Sequence, residues 1–127
     1  MRTIMNMRLL ISVVDDDESV RESLPGLLNE MGFAARGFSS AEDFLRSDIV
    51  LHTKCLILDV AMPGMSGPEL QVELRRRGIG APIIFITARG DEALQRNVLA
   101  QGAEGCLLKP FSDTALLDAL NAALRLK

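Results

Sequence analysis

Four carboxylates stand in a row at Asp15, Asp16, Asp17 and Glu18, directly after an apolar run at residues 9–14. Crowded like charges repel, and one of each repelling pair takes up a proton unless something positive sits among them. Capping a helix needs only one such residue, and Asp17, just before Glu18, Ser19 and Val20, is placed to supply it. Asp15 and Asp16 remain for another purpose. Three further apolar runs end on polar residues: 55–58 before Asp59, 83–86 before Thr87 and 106–108 before Lys109. If these ends converge, three aspartates, a hydroxyl and an ammonium share one site. A divalent cation relieves the repulsion, and a donor set of oxygens without His or Cys favours a hard ion, Mg²⁺ or alternatively Mn²⁺.

Such a set can move a phosphoryl group. A carboxylate attacks phosphorus to give an acyl phosphate when a cation and hydrogen-bond donors neutralise the transferring group. Asp59 is the expected nucleophile, because the loop at 60–67 that follows it has room for the phosphoryl group. The cation on Asp15 and Asp16 would take one phosphoryl oxygen, Lys109 a second and the Thr87 hydroxyl a third.

The elements needed to position these residues are legible as alternating runs and stripes. Apolar runs occur at 9–14, 33–38, 55–58, 83–86 and 106–108. Between the first two, Val20, Leu24, Leu27, Leu28 and Met31 form one stripe of an amphipathic helix, interrupted by Pro25 and Gly26, which are expected to kink or weaken it. A short second helix is expected to open at Ser39 or Ser40, ahead of Glu42, Phe44 and Leu45. The third is expected to start at Gly67-Pro68 and stop at Gly78, with Arg75, Arg76 and Arg77 as its solvated, dipole-compensating end. Asp91 is the expected cap of a fourth, carrying Leu94, Val98 and Leu99. Ser112 or Asp113 would cap a fifth, with Leu116, Leu117, Leu120 and Leu124 inward and Arg125 and Lys127 at its end. Five βα units predict an α/β fold: one doubly wound domain with a parallel sheet, whose ligands bind at the carboxyl ends of the strands. The chemical residues fall at those ends.

Composition narrows the alternatives. With 127 residues the chain makes one domain, and 48% apolar with 24% charged residues marks it as globular. A net charge of −3 gives no basic field for nucleic acid or anionic lipid, so no direct nucleic-acid or membrane contact is expected. The first apolar run is too short to span a membrane and has no cleavage pattern after it, so a cytoplasmic location is expected. Cys55 and Cys106 lack the spacing of a disulfide framework or metal site and read as buried thiols. His52, the single histidine, is given a surface role.

The stretches "VVDDDESVRESL", "LILDVAMPGMSGPEL", "FITARGDE" and "GCLLKPF" resemble the four signature blocks of response-regulator receiver domains, the CheY-like superfamily of two-component signalling. The likeness runs through nearly the whole chain, assigning 8–127 to the receiver and 1–7 to a flexible N-terminal extension. It implies a flavodoxin-like (βα)5 fold with strand order 2-1-3-4-5, an acidic pair at Asp15 and Asp16, a phospho-acceptor at Asp59, a switch hydroxyl at Thr87 and the family lysine at Lys109. It also implies a Mg²⁺ ligand in the backbone carbonyl of Ala61, a cis Lys109-Pro110 peptide, and a sensor histidine kinase as phosphoryl donor. Where the family commonly carries an aromatic or histidine ring, three residues before the lysine, this chain has Cys106.

The stretch "GDEALQRNVLAQGAEGCLLKPF" is most similar to receivers of FixJ-type transcriptional regulators, which precede a helix-turn-helix output region. A free-standing receiver or phosphorelay module is the alternative. If Thr87 is drawn toward the phosphoryl group, the face formed by the fourth helix, fifth strand and fifth helix is expected to change and to promote binding or homodimer pairing there. Arg89, two residues after Thr87, either shields the phosphoryl group or is an exposed loop arginine without that role. Three rival readings are weaker. A haloacid-dehalogenase-type phosphatase needs an acid two residues after the nucleophile, where Ala61 stands. A flavodoxin-like cofactor binder would not set four acids against a phosphate. A phosphorylation-independent interaction module would not require the acidic pair, acceptor, threonine and lysine together. The expected protein is therefore no turnover enzyme, catalysing only its own phosphoryl transfer and dephosphorylation.

Overall fold

The computed structural model describes residues 8–88 and 92–125. The expected extension at 1–7, Arg89, Asp91 and Lys127 lie outside the described residues. Five strands, β1 (Leu10–Val14), β2 (Ala34–Phe38), β3 (Cys55–Asp59), β4 (Ile83–Thr87) and β5 (Gly105–Leu108), form one parallel sheet in the order β2-β1-β3-β4-β5. The helices between and after them are α1 (Glu18–Glu30), α2 (Ala41–Arg46), α3 (Gly67–Arg76), α4 (Glu92–Ala100) and α5 (Asp113–Leu124), and a 3-10 turn at Val50–His52 precedes β3. This is the doubly wound (βα)5 fold that the alternating pattern predicts.

Each layer follows from its sequence. The central strands are apolar on both faces because helices cover both sides. Ile11, Val13, Cys55, Ile57, Ile84 and Ile86 pack with Leu24 and Leu28 of α1 and Leu116 and Leu120 of α5. The alternate residues Val14, Leu56, Leu58, Ile83 and Phe85 pack with Phe44 of α2, Leu70 and Leu74 of α3 and Val98 of α4. One face thus carries α1 and α5, the other α2, α3 and α4.

Helix starts are close to those expected. Asp17 caps α1, its Oδ1 accepting from the Ser19 N–H at 3.0 Å. Ser40 caps α2 and Ser112 caps α5. Ser66 and Glu69 form a reciprocal capping box at α3, with Pro68 in its first turn. Pro25 does not end α1, which runs unbroken to Glu30, pinned to the sheet by buried Leu24 and Leu28 on either side of the proline. Arg76 and Arg77 pair with Glu73 on the surface as expected, at 2.6 and 2.7 Å. Arg75 instead turns back on the chain, its Nη1 donating to the Ile79 and Ala81 carbonyls at 2.8 and 3.2 Å. His52 is exposed, Cys55 is buried and Cys106 is half-buried rather than fully so, since β5 is an edge strand. The Lys109-Pro110 peptide is cis. No described helix is long and apolar enough to cross a membrane.

Two contacts fix the helices that flank the site. Gly67 opens α3 against the end of β3, so tightly that a Cβ on it would lie 2.3 Å from the Asp59 carbonyl oxygen and 2.9 Å from the Phe85 ring. Gln71 of α3, 1% exposed, reaches α4 and donates from Nε2 to the Val98 and Gln101 carbonyls, both at 3.4 Å.

Gly67 and Gly26 therefore predict opposite outcomes. Gly67→Ala forces backbone apart and is expected to destabilise by about 2–4 kcal/mol. Gly26, inside α1 with open space where its Cβ would stand, should accept alanine with a gain of roughly 0.5–1 kcal/mol. Urea unfolding of the two variants checks both signs.

Candidate functional site

Strand register brings the chemical residues together. Val14 lies opposite Leu58, so the next residues outward, Asp15 and Asp59, are neighbours at the carboxyl edge. Asp59 is the last residue of β3 and pairs with Ile86. Thr87 closes β4 opposite Leu108, and the Lys109 N–H donates to the Thr87 carbonyl at 2.7 Å. Alternation then sets direction. Continuing Ile11, Val13 and Ile57 outward gives Asp15 and Asp59, on the parity of the α1/α5 face, and Lys109 follows Leu107 of that same face. Thr87 follows Ile83 and Phe85 and belongs to the α4 side.

The carboxylates do converge. Asp15, Asp16 and Asp59 each offer an oxygen within 4.8 Å of the others. Asp15 is fully buried, Asp59 is 6% exposed and Asp16 is open to solvent. Lys109 Nζ lies 2.9 Å from Asp15 Oδ2 and 3.7 Å from Asp59 Oδ1. The shorter contact is close enough for a strong ion pair but poorly directed as a hydrogen bond, so Oδ2 stays buried with unspent acceptor capacity. Asp15 Oδ1 accepts from the Asp17 N–H at 3.0 Å, joining the site to the cap of α1. Beside Asp59 a cavity of about 340 Å³ is lined by Val60, Ala61, Thr87, Ala88, Leu94 and Lys109. Asp15, Asp16, Asp59, Ala61, Thr87 and Lys109 are thus in or beside one cluster, while Arg89 lies outside the described residues.

Two further residues hold this cluster and carry no signal in the sequence pattern. Arg21 of α1 donates from Nη1 to the Asp15 backbone carbonyl at 2.9 Å, and so steadies the peptide between the two acids. Glu42 of α2 accepts the Met65 N–H at 3.0 Å, fastening the loop that follows Asp59. A basic residue six positions after Asp15 is the only hint for the first. The second joins positions 23 apart, which no local period reveals.

Charge in the site is unbalanced. Burial pushes the Asp59 carboxyl up to about 7; the Asp15 charge adds to the rise and the Lys109 ammonium opposes it. Burial alone would lower Lys109, but its contact with Asp15 and the Asp59 charge hold it above the ordinary lysine value. One ammonium among three carboxylates leaves room for further positive charge. The donor set, all oxygen and partly solvated through Asp16, fits a hard divalent cation such as Mg²⁺.

The raised Asp59 value has a definite consequence for stability. The folded chain binds this proton more tightly than the unfolded chain, whose carboxyl keeps the ordinary 3.8. The stabilisation is complete below that ordinary value and is lost as pH rises through about 7. In buffer containing EDTA, Asp59→Asn is expected to raise Tm at about pH 8 and to change it little at about pH 4. Thermal unfolding across pH checks this, and a gain independent of pH would contradict it.

Comparison with known proteins agrees with this architecture. The response regulator receiver domain model matches residues 11–121. Transcriptional regulatory protein TdiR of Thauera aromatica is 47% identical over 91% of this chain and 51% of its own length. The response regulator StyR superposes with a TM-score of 0.83 at 45% identity, covering 94% of this chain and 60% of that one. FixJ-N superposes with a TM-score of 0.83 at 36% identity, covering 94% and 95%. The chain spans about half the length of the curated relatives it matches. With the sheet order, the acidic edge and the matched domain in agreement, the chain belongs to the response regulator receiver domains of two-component signalling.

Proposed function

We propose that this receiver accepts a phosphoryl group on Asp59 from the phosphohistidine of a sensor kinase and thereby switches an output, transcription in the manner of the regulators it resembles. The observation that carries this reading is the meeting of Asp15, Asp16 and Asp59 within 4.8 Å, with the Lys109 ammonium against Asp15 and Asp59. Asp15, Asp16 and Asp59, with the backbone carbonyl of Ala61, would hold Mg²⁺. Bound there, the ion supplies charge to one phosphoryl oxygen and relieves the repulsion among the acids.

The remaining work falls to the chain. An Asp59 oxygen attacks phosphorus, an O–P bond forms, and the N–P bond to the kinase imidazole breaks with the electron pair leaving on nitrogen. Lys109 meets a second phosphoryl oxygen and the Thr87 hydroxyl donates to a third. The cavity beside Asp59 accommodates the transferred group. Hydrolysis of the acyl phosphate reverses the state, so the domain catalyses its own phosphorylation and dephosphorylation without acting as a turnover enzyme. Thr87, drawn toward the phosphoryl group, biases the adjoining loop, and the α4/β5/α5 face becomes a pairing surface for a second copy. With a net charge of −3 the domain makes no direct nucleic-acid contact. A cytoplasmic setting suits a partner of a sensor kinase.

Incubation with acetyl phosphate and Mg²⁺ is expected to add the mass of one phosphoryl group to the intact chain and none to Asp59→Ala. Lys109→Gln should slow the addition by about a hundredfold, the scale for losing one donor to a developing charge. Labelling of Asp59→Ala at the same rate would refute the acceptor. Sedimentation with beryllofluoride and Mg²⁺ is expected to show dimers, and disruption by substitutions in α5 but not in α2; a monomer under both conditions refutes pairing.

A further inference from the structure

Val60 and Ala61 wall the acceptor cavity from a loop, where strand pairing no longer dictates their position. Three backbone donors fasten this loop at its far end. The Gly67 N–H reaches the Val60 carbonyl at 3.0 Å and the Ser66 N–H reaches Glu69 Oε1 at 2.9 Å, both local bonds. The Met65 N–H instead reaches Glu42 Oε2 at 3.0 Å, from a different helix. Gly64, at φ 75°, turns the chain over that same carboxylate, so closely that a Cβ would stand 2.8 Å from Glu42 Oε2. Glu42 is itself well supported. Its neighbours Ala41 and Phe44 are fully buried, and the Phe44 ring stacks edge-on against Phe38 of β2, with centroids 5.4 Å apart.

A carboxylate serving only as surface charge would point to solvent or pair along its own helix, as Asp43 does with Arg46. Glu42 spends an oxygen on the backbone of the acceptor loop instead. We propose that Glu42 is a positioning residue for cation binding: it clamps Met65 and the turn at Gly64, and through them holds the Ala61 carbonyl at the orientation a bound Mg²⁺ requires. The inference rests on the Mg²⁺ reading above. It adds that α2, remote in sequence from every residue of the acidic cluster, sets part of the site's geometry. Outer partners of this kind change metal affinity by about 10–100-fold when removed.

The test compares Glu42→Ala, Glu42→Gln and Asp43→Ala with the unmodified chain. Two readouts are used, Mg²⁺ titration by calorimetry and hydrogen exchange of the Met65 amide in the metal-free protein. Glu42→Ala is expected to weaken Mg²⁺ binding about tenfold and to speed Met65 exchange. Glu42→Gln keeps an acceptor oxygen without the charge and should stay within about twofold of the unmodified chain on both readouts. Asp43→Ala, one residue away, should change neither. Equal weakening in the Ala and Gln variants would mean that charge alone acts and would overturn the clamp, as would unchanged binding in Glu42→Ala. Absence of Mg²⁺ binding by the unmodified chain, with Met65 exchange still accelerated in Glu42→Ala, would instead refute the metal reading while leaving the clamp in place.

Discussion

Buried like charge governs this domain. Asp15 and Asp59 are held side by side at the carboxyl edge because β1 and β3 are parallel neighbours in register, and both side chains are buried there. Lys109 compensates only in part, lying nearer Asp15 than Asp59. A site with surplus negative charge, restrained by a rigid scaffold, favours whatever positive or electrophilic group enters it. The scaffold must be stable enough to sustain that tension, which is why nearly every other side chain in β1 and β3 is fully buried and apolar. The exceptions are Leu10, half-buried at the start of β1, and Ser12, buried but polar, whose hydroxyl is satisfied by Thr53 at 2.7 Å.

Much of this was legible in the sequence because two simple periods govern it. Short apolar runs gave the strands, and the residues terminating them gave the site, since a parallel sheet puts the end of every strand on one edge. The structure differs from the pattern by a residue at one end of each strand, and Asp59 and Thr87 are the last members of β3 and β4 rather than the first residues beyond them. Pro25 and Gly26 were expected to kink or weaken α1, and the helix continues through them, held by the tertiary contacts of Leu24 and Leu28. The turn at Val50–His52 had no signal of its own.

Polar residues that bond to distant backbone were the illegible part. Arg21, Glu42 and Gln71 sit on helices, where polarity alone suggests solvent. Their partners are the carbonyl of Asp15, the amide of Met65 and the carbonyls of Val98 and Gln101. Backbone groups look identical in every residue, so a sequence offers nothing to mark which one a side chain will find. Such bonds emerge only once the chain is folded.

The contact at Gly67 gives the acceptor strand a hard flank. A side chain at Gly67 would run into the Asp59 backbone, so no spare space separates α3 from the end of β3 on that side. Across the cavity stand Thr87 and Leu94, both half-buried. The room for adjustment around Asp59 therefore lies on the cavity side, away from the backbone contact that admits no side chain at Gly67.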